Sequence, residues 1–331
     1  MASPLISITV CVRNGAHWID DCMAALCAQT YRPLEIIAVD DGSTDGGREK
    51  LLSWDDSSAV RSESNGIPVR VLTQQPLGLS AGRNFALNEA VGEWVAITDI
   101  DCRPEPDWIE QMEKSSSGAE AVTGQAIFDS GKTAVSRLRA DIIAEKYAGR
   151  KDEVTLANGP CSMFIRENLI QRGGFDPAWY HAEDMEVSMK ILQSGGVIRY
   201  VPNAIVNHVA EESLIIFLSK RRRDARAHVR IMRTYRGAKH DFTGKMLTLL
   251  LRPLMYAAIT ILIAIDATNS LETNLFYRFS GFLPLILILS FPKVRIILLW
   301  GYALYIGVAQ GWLDAVFARN GHHRIFTKPK K

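Results

Sequence analysis

At 331 residues the chain has room for one large domain or two ordinary ones. Its formal net charge of +2 provides no strongly basic surface overall, which argues against nucleic acid as a partner. Five cysteines (Cys11, Cys22, Cys27, Cys102, Cys161) lie scattered in apolar contexts, with no Cys-x-x-Cys pair and no His-flanked zinc spacing; they read as reduced thiols of a cytosol-facing domain.

Residues 5–12 carry no basic leader or small-residue cleavage site and read as a buried first strand, closed by Arg13-Asn14-Gly15. Helical spacing follows at Trp18, Ile19, Cys22, Met23 and Leu26. Pro33 breaks it, and residues 34–39 form a second strand that ends in Asp40-Asp41-Gly42-Ser43-Thr44-Asp45. A helix over 45–54 is expected, capped by Ser43 or Thr44. After a polar loop come a third strand at 69–73 and a helix at 80–91.

The fourth strand, 94–98, stops abruptly in Asp99-Ile100-Asp101-Cys102. Open α/β sheets place ligands just past the carboxyl ends of such strands. Two carboxylates at this spacing can share a hard divalent cation and leave positions for phosphate oxygens, although the same triplet also occurs as a solvated turn. Beyond it the pattern predicts a helix at 108–114, a strand at 119–128, an amphipathic helix at 133–147 and an apolar loop-to-strand piece at 158–165. A helix at 183–194, stopped by Gly195-Gly196, and a last strand at 197–201 complete it. The alternation implies a mostly parallel sheet covered by helices on both faces.

Residues 220–245 are densely basic. Arg222, Arg226, Arg230 and Arg233 share one helical face, with Ala225, Val229 and Met232 on another, as in a helix lying at an anionic bilayer surface. Three apolar segments follow at 246–265, 276–291 and 294–312. The first and third approach the roughly 20 residues that span a bilayer. The second is shorter and is interrupted by Arg278 and Pro284.

Over residues 5–208 these motifs, in this order, resemble the family 2 glycosyltransferases. The likeness is carried by Ile6-Ser-Ile-Thr-Val-Cys-Val-Arg-Asn14, by Gln29-Thr-Tyr with Glu35-Ile-Ile-Ala-Val-Asp-Asp-Gly-Ser-Thr-Asp45, by Gly78-Leu-Ser-Ala-Gly-Arg-Asn84, by Thr98-Asp-Ile-Asp101 and by Glu183-Asp184. It implies a GT-A fold, an α/β Rossmann-like mixed sheet with helices on both faces, followed by C-terminal transmembrane helices. The expected layout is a catalytic domain at 1–212 (nucleotide-binding half 1–103, acceptor-binding half 104–212), a basic juxtamembrane region at 213–245, two to three membrane helices in 246–313 and a basic tail at 314–331.

The resemblance implies metal-dependent, inverting transfer from a nucleotide-diphosphate sugar, UDP-sugar favoured, with Mg2+ or Mn2+. The tail resembles that of bacterial enzymes building exopolysaccharide or envelope glycans on lipid carriers, so the implied acceptor is lipid-linked or membrane-associated. There are departures. Cys11-Val12-Arg13 replaces the usual small hydroxyl or Pro before a Tyr-Asn pair, and Ala86 stands where the second glycine of Ala-Arg-Asn-x-Gly is usual. No Gln-x-x-Arg-Trp motif is present, which favours single transfers over processive polymerisation.

Residue by residue, the resemblance assigns Cys11, Arg13, Asn14, Asp41, Arg83 and Asp99 to the donor, with Asp41 accepting from the base and Arg83 near the diphosphate or paired with a carboxylate. Asp101 is the direct metal ligand, and Asp99 reaches the ribose or the metal shell. His208 is a third ligand or a packed strand-end histidine. Asp184 is the general base, and Asn158, Gly159, Trp179 and Glu183 shape the acceptor side. A polyprenyl-phosphate glycosyltransferase is the rival enzyme; its acceptor is already ionised and needs no base. A non-catalytic sugar-nucleotide scaffold is the rival from another class. The expected location is the inner, cytoplasmic membrane, multi-pass, with the catalytic domain on the cytoplasmic side where nucleotide sugars are made, in keeping with the basic block before the first span.

Overall fold

The computed structural model describes residues 3–56, 65–179, 181–235, 251, 258 and 290–317. The chain divides into two compact units, one of Met1–Asp129 and Ala140–Ala210, the other of Ser130–Arg139 and Glu211–Arg319.

The first unit opens with β1 (Ile6–Val12), α1 (Ile19–Cys27), β2 (Leu34–Asp41), α2 (Gly47–Leu52), β3 (Val69–Gln74), α3 (Leu79–Glu89) and β4 (Trp94–Asp99). It continues through β5 (Cys102–Pro104), α4 (Trp108–Lys114), β6 (Ala121–Phe128), α5 (Ala134–Tyr147, of which the residues up to Arg139 are assigned to the second unit), β7 (Ser162–Ile165), α6 (Arg166–Gln171), α7 (Glu183–Gln193) and β8 (Ile198–His208). The strands form one sheet in the order β3-β2-β1-β4-β7-β6-β8-β5. The pairs β1–β2, β2–β3 and β1–β4 are parallel, whereas β7 runs antiparallel to both β4 and β6, and β5 antiparallel to β8.

Strands buried on both faces need apolar residues at nearly every position, and β2 is buried throughout. Ile36 and Ala38 join one cluster with Ile8, Met23 and Leu26, while Ile37 and Val39 join the other with Ala86, Val95 and Phe175. The chain leaves β1 toward β2 and β3, then returns to place β4 on β1's other side. The crevice at the carboxyl ends of β1 and β4 is therefore a topological switch point, and the register sets Cys11 opposite Asp99 there.

Several elements depart from the sequence reading. α2 starts at Gly47, and its cap is Gly46 at φ 83 with no side-chain bond. Ser43 and Thr44 instead engage Asn14: Ser43 Oγ accepts from Asn14 N at 3.0 Å, and Thr44 N donates to Asn14 Oδ1 at 2.8 Å. The last strand runs on from Val201 through Pro202 and Asn203 to His208, and β5 and α6 appear where no strand or helix was expected.

In the second unit, α8 (Leu214–Thr234) begins before residue 220, with Ser213 as its cap. The last helix, α9 (Pro292–Val316), has 25 residues, and its most apolar 18-residue stretch has a mean hydropathy of 1.5; among the described residues it is the one helix long and apolar enough to cross a membrane. It matches the expected segment 294–312. The basic stretch after residue 235 and the apolar segments at 246–265 and 276–291 lie outside the described residues, apart from Leu251, Ala258, Ser290 and Phe291. α9 packs on α8 through Gly307 and Gly311. A Cβ on Gly307 would collide with the carbonyl oxygen of Arg222, and one on Gly311 would lie 2.7 Å from Val229 Cβ. Arg226 donates to Asp314 through Nε at 2.5 Å and Nη2 at 2.8 Å, so one of the four aligned arginines is turned onto α9. Arg222 and Arg233 are exposed.

Candidate functional site

The site grows from the ends of β1, β2 and β4. Asn14 takes a left-handed conformation (φ 54), which turns the chain sharply after β1. Asp41 is only 4% exposed. Its Oδ1 accepts from Gln74 Nε2 at 2.8 Å, Leu77 N at 2.7 Å and Gly78 N at 3.1 Å; Oδ2 accepts from Gly78 N at 2.9 Å and lies 4.0 Å from Arg13 Nη1. This carboxylate thus fixes the turn that launches α3 and, through it, the position of Arg83. Gly78 sits at φ 100, a region that favours glycine.

Arg83 is buried beneath the site. Nη2 is 3.0 Å from Asp99 Oδ1 and Nη1 is 2.7 Å from Glu183 Oε1, while Nη2 also donates to the Gly159 carbonyl at 3.4 Å. The guanidinium lies 5.4 Å from the centre of the Phe175 ring. Burial alone would lower the arginine's pKa, but Glu183 and Asp99 outweigh it and hold the charge more firmly than usual. Glu183 must share that cation. Burial raises its carboxyl to about 7, Arg83 opposes the rise, and neighbouring Asp184 adds to it.

Asp184 is half-buried in the first turn of α7, where the helix dipole favours a carboxylate. Its Oδ2 accepts from Gly159 N at 2.9 Å and its Oδ1 from Met185 N at 2.8 Å. The Gly159 residue therefore joins both systems, donating to Asp184 and accepting from Arg83. Ala182, which precedes the acidic pair, is left-handed at φ 70, a conformation costing a non-glycine residue about 1–2 kcal/mol.

On the other side of Asp99, the β5–β8 register puts Cys102 opposite His208. His208 Nε2 lies 3.5 Å from Asp101 Oδ1. Its Nδ1 is 2.7 Å from the Val209 carbonyl, which can only accept, so Nδ1 donates there and Nε2 is the nitrogen that faces Asp101. Asp101 and His208 suit a divalent cation: a carboxylate with access to solvent and an imidazole oriented by a backbone carbonyl. Burial, together with Asp99 and Asp101, pushes the Cys102 thiol well up.

The remaining candidates are more enclosed than their sequence context implied. Cys11 is held at about 12 by burial, with Arg83 opposing. Asn158 is buried and donates to Thr123 Oγ1 at 2.7 Å and to the Gly124 carbonyl at 3.1 Å. Trp179 is 3% exposed, so its indole faces the interior and not an open surface. Phe175, Gln74 and Cys102 belong to these networks but were not assigned roles from the sequence; Cys102 is reached only through strand pairing.

The "Putative glycosyltransferase EpsH" of Bacillus subtilis is 35% identical over 115 residues, 34% of this chain and 30% of that protein. The "Cholesterol galactosyltransferase" of Borreliella burgdorferi is 31% identical over 107 residues, 32% of this chain and 28% of that protein. The chain thus matches less than a third of the length of either relative. The mannosyltransferase PcManGT from Pyrobaculum calidifontis, solved with GDP-Man and Mn2+, superposes with a TM-score of 0.67 at 20% identity, covering 95% of this chain and 88% of that one; the likeness shows the shared GT-A fold. Residues 7–173, half of the chain, match the model of the family described as Glycosyl transferase family 2, and the chain belongs to that family.

Proposed function

We propose that the chain transfers a hexose, with inversion, from a nucleotide-diphosphate sugar to a hydroxyl of a lipid-linked or otherwise membrane-associated acceptor. The observation that carries this reading is the placement of Asp184, half-buried, with both carboxylate oxygens held by backbone N–H groups and linked through Gly159 and Arg83 to Asp99. A carboxylate so oriented suits a general base, which takes the proton of the attacking hydroxyl. An acceptor phosphate would not need one, and this favours a hydroxyl acceptor over a polyprenyl phosphate.

Asp101 and His208 would hold the divalent ion, Mg2+ or Mn2+, with Asp99 beside them. When bound, the ion supplies Lewis-acid stabilisation of the departing diphosphate. Arg13, Asn14 and Cys11 border the donor, UDP-sugar favoured. Asp41 acts on the base through the Gln74-to-Gly78 turn it fixes. Arg83 keeps Asp99 and Glu183 in place from below, and Gly159 and Asn158 form the acceptor wall. Association with a membrane is supported by the length and hydropathy of α9 and by the exposed Arg222, Arg233, Ile215 and Ile216 of α8. A relative named "Cholesterol galactosyltransferase" supports a lipid acceptor. In this reading the catalytic domain faces the cytoplasm, where the donor is made.

Purified full-length protein in detergent, screened with nucleotide sugars and Mn2+ against lipid extracts, tests the proposal. Expected is cation-dependent sugar transfer whose product has the opposite anomeric configuration to the donor. A product of retained configuration, or no turnover with any donor, would overturn it.

A further inference from the structure

The cysteine spacing reveals no zinc motif, yet strand pairing builds a zinc-type donor set. Cys102 and His208 are cross-strand partners in the antiparallel β5–β8 ribbon, and directly opposed residues project to the same face. Cys102 Sγ lies 3.9 Å from Asp101 Oδ1, and His208 Nε2 lies 3.5 Å from the same oxygen. The three donor atoms all fall within 4.8 Å of one another. A tetrahedral zinc ion with bonds of about 2.0–2.3 Å sets its ligand atoms roughly 3.3–3.7 Å apart. Rotamer adjustments of a few tenths of an ångström would close the set on two edges.

We infer that Asp101, Cys102 and His208 form a binding site for a thiophilic divalent cation, of the Zn2+ or Cd2+ class, which competes with the hard cation of the transfer reaction. The competition clause rests on the proposed function; the binding site does not. Hard cations draw on the oxygen and imidazole donors, whereas a thiophilic ion recruits the sulfur as well. The surroundings hold the donors in place: Cys102 is fixed in the β5–β8 pairing, and the imidazole stacks on Phe128 at 4.3 Å with its Nδ1 hydrogen on the Val209 carbonyl. Three protein ligands leave a fourth position open on the side where Asp101 meets solvent. In binding, the metal–sulfur bond replaces the S–H bond and the proton passes to solvent; nothing is oxidised or reduced.

Titration of the metal-stripped, full-length protein with Cd2+ at fixed pH, followed by ultraviolet difference absorption, tests the site. The wild type is expected to show a thiolate-to-Cd2+ charge-transfer band that saturates at one equivalent. Cys102→Ser and Cys102→Ala should lose the band and weaken Cd2+ binding on the order of a hundredfold, at least as much as loss of an outer-sphere partner. Their Mn2+ affinity, read from free Mn2+ by electron paramagnetic resonance, should change less than about threefold, since sulfur contributes little to a hard ion. Cys22→Ser, which alters a neighbouring buried thiol bonded to the Asp99 carbonyl, should retain the band. Absence of the band in the wild type, its survival in Cys102→Ser, or an equal loss of Mn2+ and Cd2+ affinity would overturn the inference. Failure of the protein to transfer any sugar would count against the proposed function and leave the Cd2+ band unchanged.

Discussion

Arg83 Nη1 meets Glu183 Oε1 at 2.7 Å, and the two side chains are almost wholly buried. One guanidinium from α3 thereby ties the acidic start of α7 to the Asp99 end of β4. Removing it leaves the buried Glu183 without a cation and the partly exposed Asp99 without its partner. Arg83→Met is expected to destabilise the protein by about 3–5 kcal/mol, as loss of one partner of a buried ion pair does. Arg83→Lys keeps the charge but not the fork, so it can satisfy only one carboxylate well and should fall between. Urea unfolding of both variants checks the order; Arg83→Met unfolding like the wild type would show that the pairing contributes nothing.

Asp184→Asn should lower turnover by about 10²–10⁴-fold, the span of general-base contributions. Donor affinity should be nearly unchanged, because Asn retains an oxygen for the Gly159 N–H. Calorimetric donor binding and turnover in the same preparation separate the two effects. Loss of donor affinity with turnover intact would make Asp184 a donor ligand.

Asp101→Asn keeps the volume and removes the charge. Mn2+ affinity should fall at least about tenfold and transfer more than about a hundredfold, without a shift in thermal unfolding. Normal transfer at saturating Mn2+ would place the cation elsewhere.

Within the second unit, Gly307→Ala inserts a methyl group into the Arg222 carbonyl and must push α9 off α8. The expected cost is about 1–3 kcal/mol, as for overpacking elsewhere. A thermal melt in detergent unchanged from the wild type would show that the helices separate without penalty.

Glu211 provides a pH signature. Burial alone would raise its carboxyl from 4.5, but Lys220, Arg139 and Arg221 outweigh burial and hold it at about 2. A carboxylate depressed in the folded state contributes stability that is present above pH 4.5 and is lost as the pH falls through 2. The contribution is on the order of 3 kcal/mol at neutral pH. Glu211→Gln should lose that increment at pH 7 and converge with the wild type in strong acid. Parallel stability profiles for the two proteins from pH 7 down to 2 would refute the assignment.

The parts legible in the sequence were those where local pattern and burial agree. β1, β2 and β4 announce themselves as apolar runs because the sheet is covered on both faces, and Asp99, Asp101 and Asp184 stand at element ends where carboxylates are conspicuous. What escaped depended on pairing between distant segments. β5 is three residues, Cys102-Arg-Pro, too short and too poor in β-formers to register as a strand. Pro202 and Asn203 masked the continuation of β8 to His208. Arg83 was legible as a site residue, but not as a buried one, since arginines are seldom enclosed without a paired charge. Ser43 and Thr44 looked like caps and were claimed by Asn14, a contact across two loops.

The pairing of β5 with β8 also governs when the site can come into being. Asp101 and Cys102 leave the ribosome long before His208, with β6, β7 and the helices between them still to be made. Closing a loop of that length is slow compared with forming local helices, and synthesis proceeds at about 5–20 residues per second. The nascent chain therefore carries an open Asp99-to-Cys102 turn for several seconds, and the cation ligands converge only once the final strand of the sheet has emerged. Translation arrested before β8 should yield a chain with its β1–β2–β3 layer in place and no high-affinity site for a divalent ion.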